Sequence, residues 1–414
     1  MTKHVIVLGA GIVGVSAALH LRQRGCDVVL VDRRAPGEET SFGNAGLIEA
    51  SSVVPYAFPR DWRTALRFAC NGSTALRYDL RSLPAYAPWL ARYWRESAPE
   101  RLAAAARDML PLVSRCVAEH EALIDRAGLH DLVRPTGWLE AYRSRESFGR
   151  QADEAERLAR THGLEVDILD SAALQNTEAS LTGAYAGAVH WHDPRSVSDP
   201  GALTKGYAQL FEREGGSIVR GDATTLEARG NGWRVQTDDG PIEAGTVIVA
   251  LGVWSNDVLR PLGYRVPLMA KRGYHMHYEG ASGVALNRPV VDIENGFVVA
   301  PMRRGLRLTT GVELARRETP PNYGQLDRAE RLARPVFGLG RRLDEKPWLG
   351  LRPCTPDMRP VIGAAGRHAG LWFDFGHAHH GLTLGPVTGR LIAELIVGET
   401  PVVDPTPYRP ARFG

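Results

Sequence analysis

The sequence predicts an α/β fold in which a Rossmann-like nucleotide-binding domain is interleaved with an α+β domain built on a mixed sheet. Three observations predict it. A strand, glycine loop, helix, strand and acid open the chain in that order. Apolar, parallel-type strands resume only some 200 residues later, near residues 217 and 246. Strand-like text with alternating or aromatic faces fills residues 267–314, between that resumption and the closing stretch.

His4–Leu8 (HVIVL) is a short β-branched run, the pattern of a strand buried on both faces of a parallel sheet. It leads into Gly9-Ala10-Gly11-Ile12-Val13-Gly14, a GxGxxG. Helical spacing follows through Val15, Ala18, Leu19 and Leu21, and Gly25 stops the helix. Asp27–Val31 is the second strand and ends on Asp32, 18 residues beyond the last glycine. Gly9 makes the tight turn, Gly11 lets backbone approach a pyrophosphate, and Gly14 allows close helix–strand packing. The helix N-terminus offers N–H groups and partial positive charge to phosphates, and Asp32 can accept from ribose hydroxyls. Ile12 and Val13, between the glycines, and Arg33, after the acid, are counted with this unit. Arg33 and Arg34 also open a reading in which they accommodate the 2′-phosphate of NADP. The Gly- and Ser-rich loop that follows, rather than another helix–strand repeat, argues against it.

Residues 60–135 read as helical, for instance Ala85–Trp94 and Arg101–Ala127. Leu203–Glu214 reads as a helix, Ser217–Val219 as a strand, and Trp233–Thr237 with Pro241–Ala244 as a hairpin around Asp239-Gly240. Thr246–Leu251 (TVIVAL) is another buried strand, closing on Gly252 and Trp254. Gly273–Tyr278, Gly296–Ala300 and Leu306–Thr310 are expected to form one wall of a pocket. Trp348–Arg352 precedes a proline-rich turn, and Leu371–Phe375 is a strand followed by Gly376–Gly381 and a helix from about 382 to 397. This second helix N-terminus can stabilise negative charge developing on a bound ring. The expected division assigns residues 1–60, 150–258 and 345–414 to the nucleotide domain. Residues 61–149 and 259–344 go to the substrate domain.

Composition narrows the function classes. With 44% apolar and 23% charged residues, the chain is globular rather than disordered or fibrous. The net charge is only +3, although 46 of the 50 basic residues are arginine. Those arginines are spread among acids along the chain, so no nucleic-acid partner is expected. Cys26, Cys70, Cys116 and Cys354 have neither disulfide nor zinc spacing, and fit a reducing compartment. No run of 18 apolar residues occurs, so no membrane span is expected. Lys3 and the apolar stretch behind it mimic a secretory leader, but three glycines interrupt that stretch. The Trp- and Arg-rich stretch Trp62–Trp94 is a weak candidate for peripheral contact with a membrane.

Read together, GAGIVG with Asp32, EETSFGNAG, KRGY, GLRPCTPD with PVIG, and FGHAHHGLTLGP resemble the FAD-dependent D-amino acid oxidase superfamily. Within it the likeness is greatest to bacterial D-amino acid dehydrogenases of the small-subunit type, and it runs over essentially the whole chain. The resemblance implies FAD, interleaved FAD-binding and substrate domains, and oxidation of an amine next to a carboxylate; Cys354 does not match the position at which some sarcosine-oxidising relatives attach flavin, so the FAD is expected to be held without a covalent bond. Gly9, Gly11, Gly14 and Asp32 match the ADP-binding positions. Ser41, Asn44, Ala45 and Gly46, with Leu47 beside them, match the loop around the pyrophosphate and ring edge. Ala223 sits where a small apolar residue holds adenine through its backbone, and Gly252 and Trp254 are placed on the cofactor side. Gly376, His377, His380, Gly381, Leu382 and Thr383 match the isoalloxazine loop.

Arg352, in GLRP, matches the arginine that grips the substrate carboxylate; a planar fork fixes that geometry better than a lysine. A structural alternative has Arg352 tying a turn to Asp357. Tyr274, in KRGY, is expected to add a hydrogen bond to the same carboxylate, or else to pack on its strand. The relatives' terminal loop reads GHGTLG, whereas Ala378 and His379 stand here, so His379 joins the catalytic candidates. Tyr56, from the variable rim at residues 50–58, is a candidate contact. His377, His379 and His380 lack the spacing of three ligands on one face, and no metal is expected.

The implied reaction is oxidative deamination of a D-amino acid. Hydride passes from the α-carbon to flavin N5, the imine is hydrolysed, and electrons go to a quinone or other respiratory carrier. The alternatives are a D-proline or D-hydroxyproline dehydrogenase, a glycine- or sarcosine-type oxidase using oxygen, and a flavoprotein scaffold without activity. The expected location is cytoplasmic, with peripheral contact at the inner membrane left open, as is oligomeric state.

Overall fold

The computed structural model describes residues 2–60, 71–181, 185–281 and 286–413. Its first sheet has eight strands, in the order Gly240–Ala244, Gly232–Thr237, Ser217–Arg229, Asp27–Asp32, His4–Leu8, Thr246–Val249, Leu371–Phe375 and Val361–Ala364. The five strands from Ser217–Arg229 to Leu371–Phe375 run parallel, and the others add antiparallel edges. His4–Leu8 lies at the centre, with Asp27 beside His4 on one side and Thr246 beside Val5 on the other. The chain order therefore reverses next to this strand, which opens a crevice beyond its carboxyl end.

Two helices meet at that crevice. Ile12–Gln23 and Gly381–Val397 pack side by side because glycine lets their backbones touch. A Cβ on Gly389 would stand 2.7 Å from the Ala17 nitrogen. Their buried Val15, Ala18, Leu19, Leu384, Val387 and Leu391 share one apolar core with Val5 and Val7. The expected Arg101–Ala127 helix is broken at Ser114 and Arg115 into Pro99–Val113 and Cys116–Ala127. Both halves bury Met109, Leu112, Val113, Leu123 and Ile124 in this same core, although the sequence division gave them to the substrate domain.

The second sheet is mixed, as expected, and has eleven strands. The long strand Met269–Gly280 organises it, pairing with Gly305–Thr309, Val312–Leu314, Leu339–Arg342 and Trp348–Cys354. Trp138–Tyr142, Gly187–Trp191 and Val166–Asp170 extend its far side. The expected boundary at residue 150 falls inside the helix Arg145–His162, and the strands on either side of it belong to this sheet. Likewise Trp348–Cys354, assigned to the nucleotide domain, is hydrogen-bonded into the substrate sheet.

Among the described residues no helix is long and apolar enough to cross a membrane. In the Trp62–Trp94 stretch, residues 61–70, including Trp62, lie outside the described residues, as does Cys70. The helix Leu83–Glu96 buries Trp89 and Tyr93 and leaves Trp94 exposed.

Candidate active site

One cavity of about 680 Å³ runs between the two sheets. At one end it is bounded by Asp32, Ala223 and Trp254, and at the other by Arg352 and His379. Gly9, with φ +110°, turns the chain at the end of the first strand, where a Cβ would lie 2.5 Å from the Ala250 carbonyl oxygen. Gly14 is tighter, because its Cβ would overlap the Gly9 carbonyl at 1.9 Å. Gly11 differs, since a Cβ there would meet only Ser41 Oγ at 3.5 Å and otherwise occupy the cavity. Ser41 Oγ accepts from the Ile12 N–H at 3.0 Å, which docks its loop on the helix start.

Asp32 Oδ2 accepts from the Ala10 N–H at 2.7 Å and Oδ1 from the Arg34 N–H at 3.0 Å. That fixes the carboxylate while leaving each oxygen a further lone pair. Arg33 lies 4.6 Å over the Trp254 ring and pairs with Glu39 at 2.8 Å, and Arg34 reaches the same carboxylate at 3.2 Å. Glu39 thus neutralises the charge that a 2′-phosphate would need.

The loop Ser41–Leu47 forms a long wall. Asn44 Oδ1 accepts from the Gly46 N–H at 2.8 Å, with Gly46 at φ +79°. Arg307 Nη1 reaches across from the second sheet to the Asn44 carbonyl at 2.5 Å. Trp348 fills the place of a side chain at Gly43 and stacks on His275, ring centroids 4.8 Å apart. Sequence reading missed Arg307, Trp348 and His275, whose strands approach from far along the chain and carry no local signature.

Gly376, at φ +84°, and Ala378, at φ +51°, turn the closing loop, and the Ala378 N–H donates to the Pro353 carbonyl at 2.9 Å. This ties the loop to the strand bearing Arg352. His377 Nε2 lies 3.0 Å from Thr388 Oγ1, so its ring is committed to the closing helix. Burial holds His377 at about 3 and His380 at about 4, and pushes His379 well below the usual histidine range, so all three rings are neutral near pH 7. His379 Nε2 is buried without a hydrogen-bond partner, and the Tyr56 ring lies 4.6 Å from its own. Glu49, raised to about 7 by burial, has Oε2 3.9 Å from His380 Nδ1. Ligand atoms of Glu49, His379 and His380 lie within 4.8 Å of one another, a different trio from the three histidines of the sequence argument.

Most of the residues named from sequence do border this cavity. Gly14, Gly46, His380 and Thr383 stand behind its wall. Thr383 Oγ1 instead accepts from the Glu49 N–H at 3.1 Å.

The catalytic candidates fare differently. Arg352 Nη1 donates to the Gly311 carbonyl at 3.1 Å and Nη2 to the Thr310 carbonyl at 3.4 Å. Among the described residues no carboxylate pairs with it. Asp357, the structural alternative, pairs with Arg412 at 2.8 Å. Tyr274 corrects the expectation. It borders the cavity, but its hydroxyl donates to Glu313 Oε2 at 2.5 Å and accepts from Arg272 Nη2 and from the Asn322 N–H, these two at 3.0 Å. Nothing is left for a substrate carboxylate.

The cavity's length, the open cradle at Gly11 and the helix N-terminus at each side fit a dinucleotide such as FAD, and its volume lies within the range of small-molecule sites.

Residues 4–395 match the DAO family, described as FAD dependent oxidoreductase. A D-amino-acid oxidase of Bradyrhizobium diazoefficiens is 33% identical, with 99% of each chain covered. A D-amino acid dehydrogenase of Chromohalobacter salexigens is 30% identical over 99% of each chain. Among solved structures, glycine oxidase from Geobacillus kaustophilus superposes with a TM-score of 0.74 at 20% identity, covering 99% of this chain and 98% of that one. L-proline dehydrogenase from P. horikoshii gives 0.71 at 18% identity, covering 100% and 98%. At those identities the likeness speaks for the fold.

Proposed function

The chain belongs to the DAO family of FAD-dependent oxidoreductases, and from that premise we propose that it oxidises D-amino acids to imines, which water then hydrolyses, and passes the electrons to a quinone or other carrier. The observation that carries the reading is Arg352, a guanidinium at the cavity end that three backbone carbonyls hold and that no carboxylate among the described residues pairs with. Such a fork binds a substrate carboxylate through two parallel N–H donors. FAD, when bound, supplies the two-electron acceptor for the α-hydrogen.

Gly9, Gly11, Ile12, Val13 and Asp32 would hold the adenine dinucleotide end, with Ala223, Gly252 and Trp254 around it. Ser41, Asn44, Ala45 and Leu47 would flank the middle, and Gly376, Gly381 and Leu382 the ring. His379 is read as a neutral hydrogen-bond partner for the substrate amine, because its Nε2 is buried at this end with no partner of its own. Neutrality matters, since a cation there would oppose an amine approaching beside Arg352. Cys354 is buried and its thiol is pushed up, so it is no thiolate, and FAD is read as held without a covalent bond.

An anaerobic flavin-bleaching screen tests the reading. D-amino acids, D-proline, cis-4-hydroxy-D-proline, sarcosine, glycine and L-enantiomers are mixed with holoenzyme. Bleaching by D-amino acids and not by L-enantiomers is expected; bleaching by sarcosine or glycine alone overturns it. The relative named as an oxidase favours a second reading in which oxygen is the acceptor. Peroxide formed in air at the rate of dye reduction would establish that reading instead.

A further inference from the structure

We propose that the substrate carries a second carboxylate and that Lys271 binds it, an inference that rests on the amino-acid-oxidising reading of this site. Lys271 stands opposite Arg352 in the antiparallel register of Met269–Gly280 and Trp348–Cys354. Directly opposed residues project from the same face of a sheet, with Cβ atoms about 5 Å apart. Both side chains border the cavity.

Lys271 stands in an apolar cage, where burial above all, and the neighbouring Arg352 charge, lower its pKa from the ordinary lysine value, a shift that a bound anion would oppose. It is 7% exposed, and its Nζ lies 3.9 Å from the Tyr93 ring centroid, 5.3 Å from that of Trp89 and 3.8 Å from Met358 Sδ. Ring faces and a thioether offset part of the cost of burying the charge. They offer no oxygen to its three donors. Among the described residues no carboxylate pairs with Lys271. The acids nearby are otherwise disposed: Cys354 stays a thiol, and burial raises Glu49. Glu313 belongs to Arg272 and Arg77.

Two adjacent cations with no ion-pair partner among the described residues are costly to bury, and a bound ligand with two negative charges lowers the cost of both. The residue type points the same way. The chain has four lysines among 50 basic residues, and only this one borders the cavity. The register sets the two residues directly opposite, about 5 Å apart at Cβ, so with an α-carboxylate on Arg352 a second carboxylate one or two methylenes away is of the length to meet Lys271. The class is a short amino dicarboxylate, such as D-aspartate or D-glutamate, or the corresponding imino diacid.

The test measures kcat/KM of the holoenzyme for D-aspartate, D-glutamate, their amides D-asparagine and D-glutamine, and D-alanine. The acids are expected to exceed their amides by about tenfold or more, and Lys271→Met to reduce that ratio at least about tenfold. Amides or D-alanine preferred by the wild type overturn the proposal. So does a Lys271→Met protein in which acid and amide fall by one common factor, which would mean that both cations grip a single carboxylate. Bleaching by no amino acid at all overturns the underlying reading instead. A readout on wild type alone covers a variant that does not fold: malonate and succinate are expected to perturb the flavin absorbance at lower concentration than acetate and propionate, and equal or weaker binding overturns the proposal.

Discussion

The hydroxyl of Tyr274 and the carboxylate of Glu313 share a hydrogen bond of 2.5 Å on the side of the second sheet that packs against its own core. Arg272, fully buried, completes the cluster through its Nε, 3.0 Å from the same Glu313 oxygen. Tyr274→Phe therefore removes a donor from a buried carboxylate. A loss of about 1–3 kcal/mol in stability is expected from urea unfolding. KM is expected to stay within about twofold of wild type, because a uniform binding contact would not be lost. A tenfold rise in KM without loss of stability would return Tyr274 to the substrate.

Arg352→Ala is expected to raise KM sharply and to lower kcat/KM by about 2–5 kcal/mol in equivalent terms, the range for truncating one side of a buried charge pair. Arg352→Lys is also expected to be impaired, since a point charge cannot span the carbonyls of Gly311 and Thr310 and still present a fork. Steady-state kinetics with flavin content checked by absorbance decides the matter. Near-wild-type values with FAD bound would remove Arg352 from the site.

Residues 4–32 were legible because strand, turn, helix, strand and acid are contiguous there, with Gly9 and Gly14 required by close backbone contact. The second helix N-terminus was legible for the same local reason. The substrate wall was not, and Tyr274 shows why. Along Met269–Gly280 alternate residues face opposite sides, and both sides carry chemistry: Lys271 and Gly273 towards the cavity, Arg272 and the Tyr274 hydroxyl towards the Glu313 cluster, although Tyr274 also borders the cavity. The KRGY text fixes the strand but not its parity, and an error of one residue exchanges the two sets. Arg307 and Trp348 were invisible because what they touch, residues 42–44, lies more than 250 residues away. The boundary at 150 failed because nothing in a polar helix announces which sheet its flanking strands will join.

Two glycines three residues apart separate folding from cofactor binding. Gly11→Ala places a methyl in ordinary contact with Ser41 Oγ at 3.5 Å, with φ −72° at this position acceptable to alanine. The apoprotein is expected to melt near wild type while losing flavin, as followed by absorbance after gel filtration. Gly14→Ala drives a methyl into the Gly9 carbonyl, and a loss of at least about 1–3 kcal/mol is expected even without cofactor. Full flavin retention in Gly11→Ala would show that the backbone does not approach the pyrophosphate there.

Stability is expected to fall as pH drops below 6.5, and the sign follows from the buried histidines. His20, His120, His190, His275, His277, His377, His379 and His380 are all depressed by burial, His120 to about 4. Between pH 6.5 and about 4 the unfolded chain takes up protons that the folded chain refuses, so stability rises with pH in that window. Four buried carboxyls, Glu49, Glu140, Glu178 and Asp374, are raised and act in the opposite sense. What they contribute is present at low pH and lost as pH rises through their folded values, about 7 for Glu49. Eight groups against four leaves the histidines dominant. His120 isolates one of them, since its ring is buried between Tyr207 Oη at 3.0 Å and the Leu382 carbonyl at 2.7 Å, away from the cavity. His120→Gln removes one titrating group, so the slope of unfolding free energy against pH in this window is expected to lessen by up to about 1.4 kcal/mol per pH unit. Urea unfolding at half-unit steps from pH 7 to 4 measures it. An unchanged slope would mean that His120 titrates alike in the folded and unfolded chains, and that burial behind the closing helix does not keep its ring neutral.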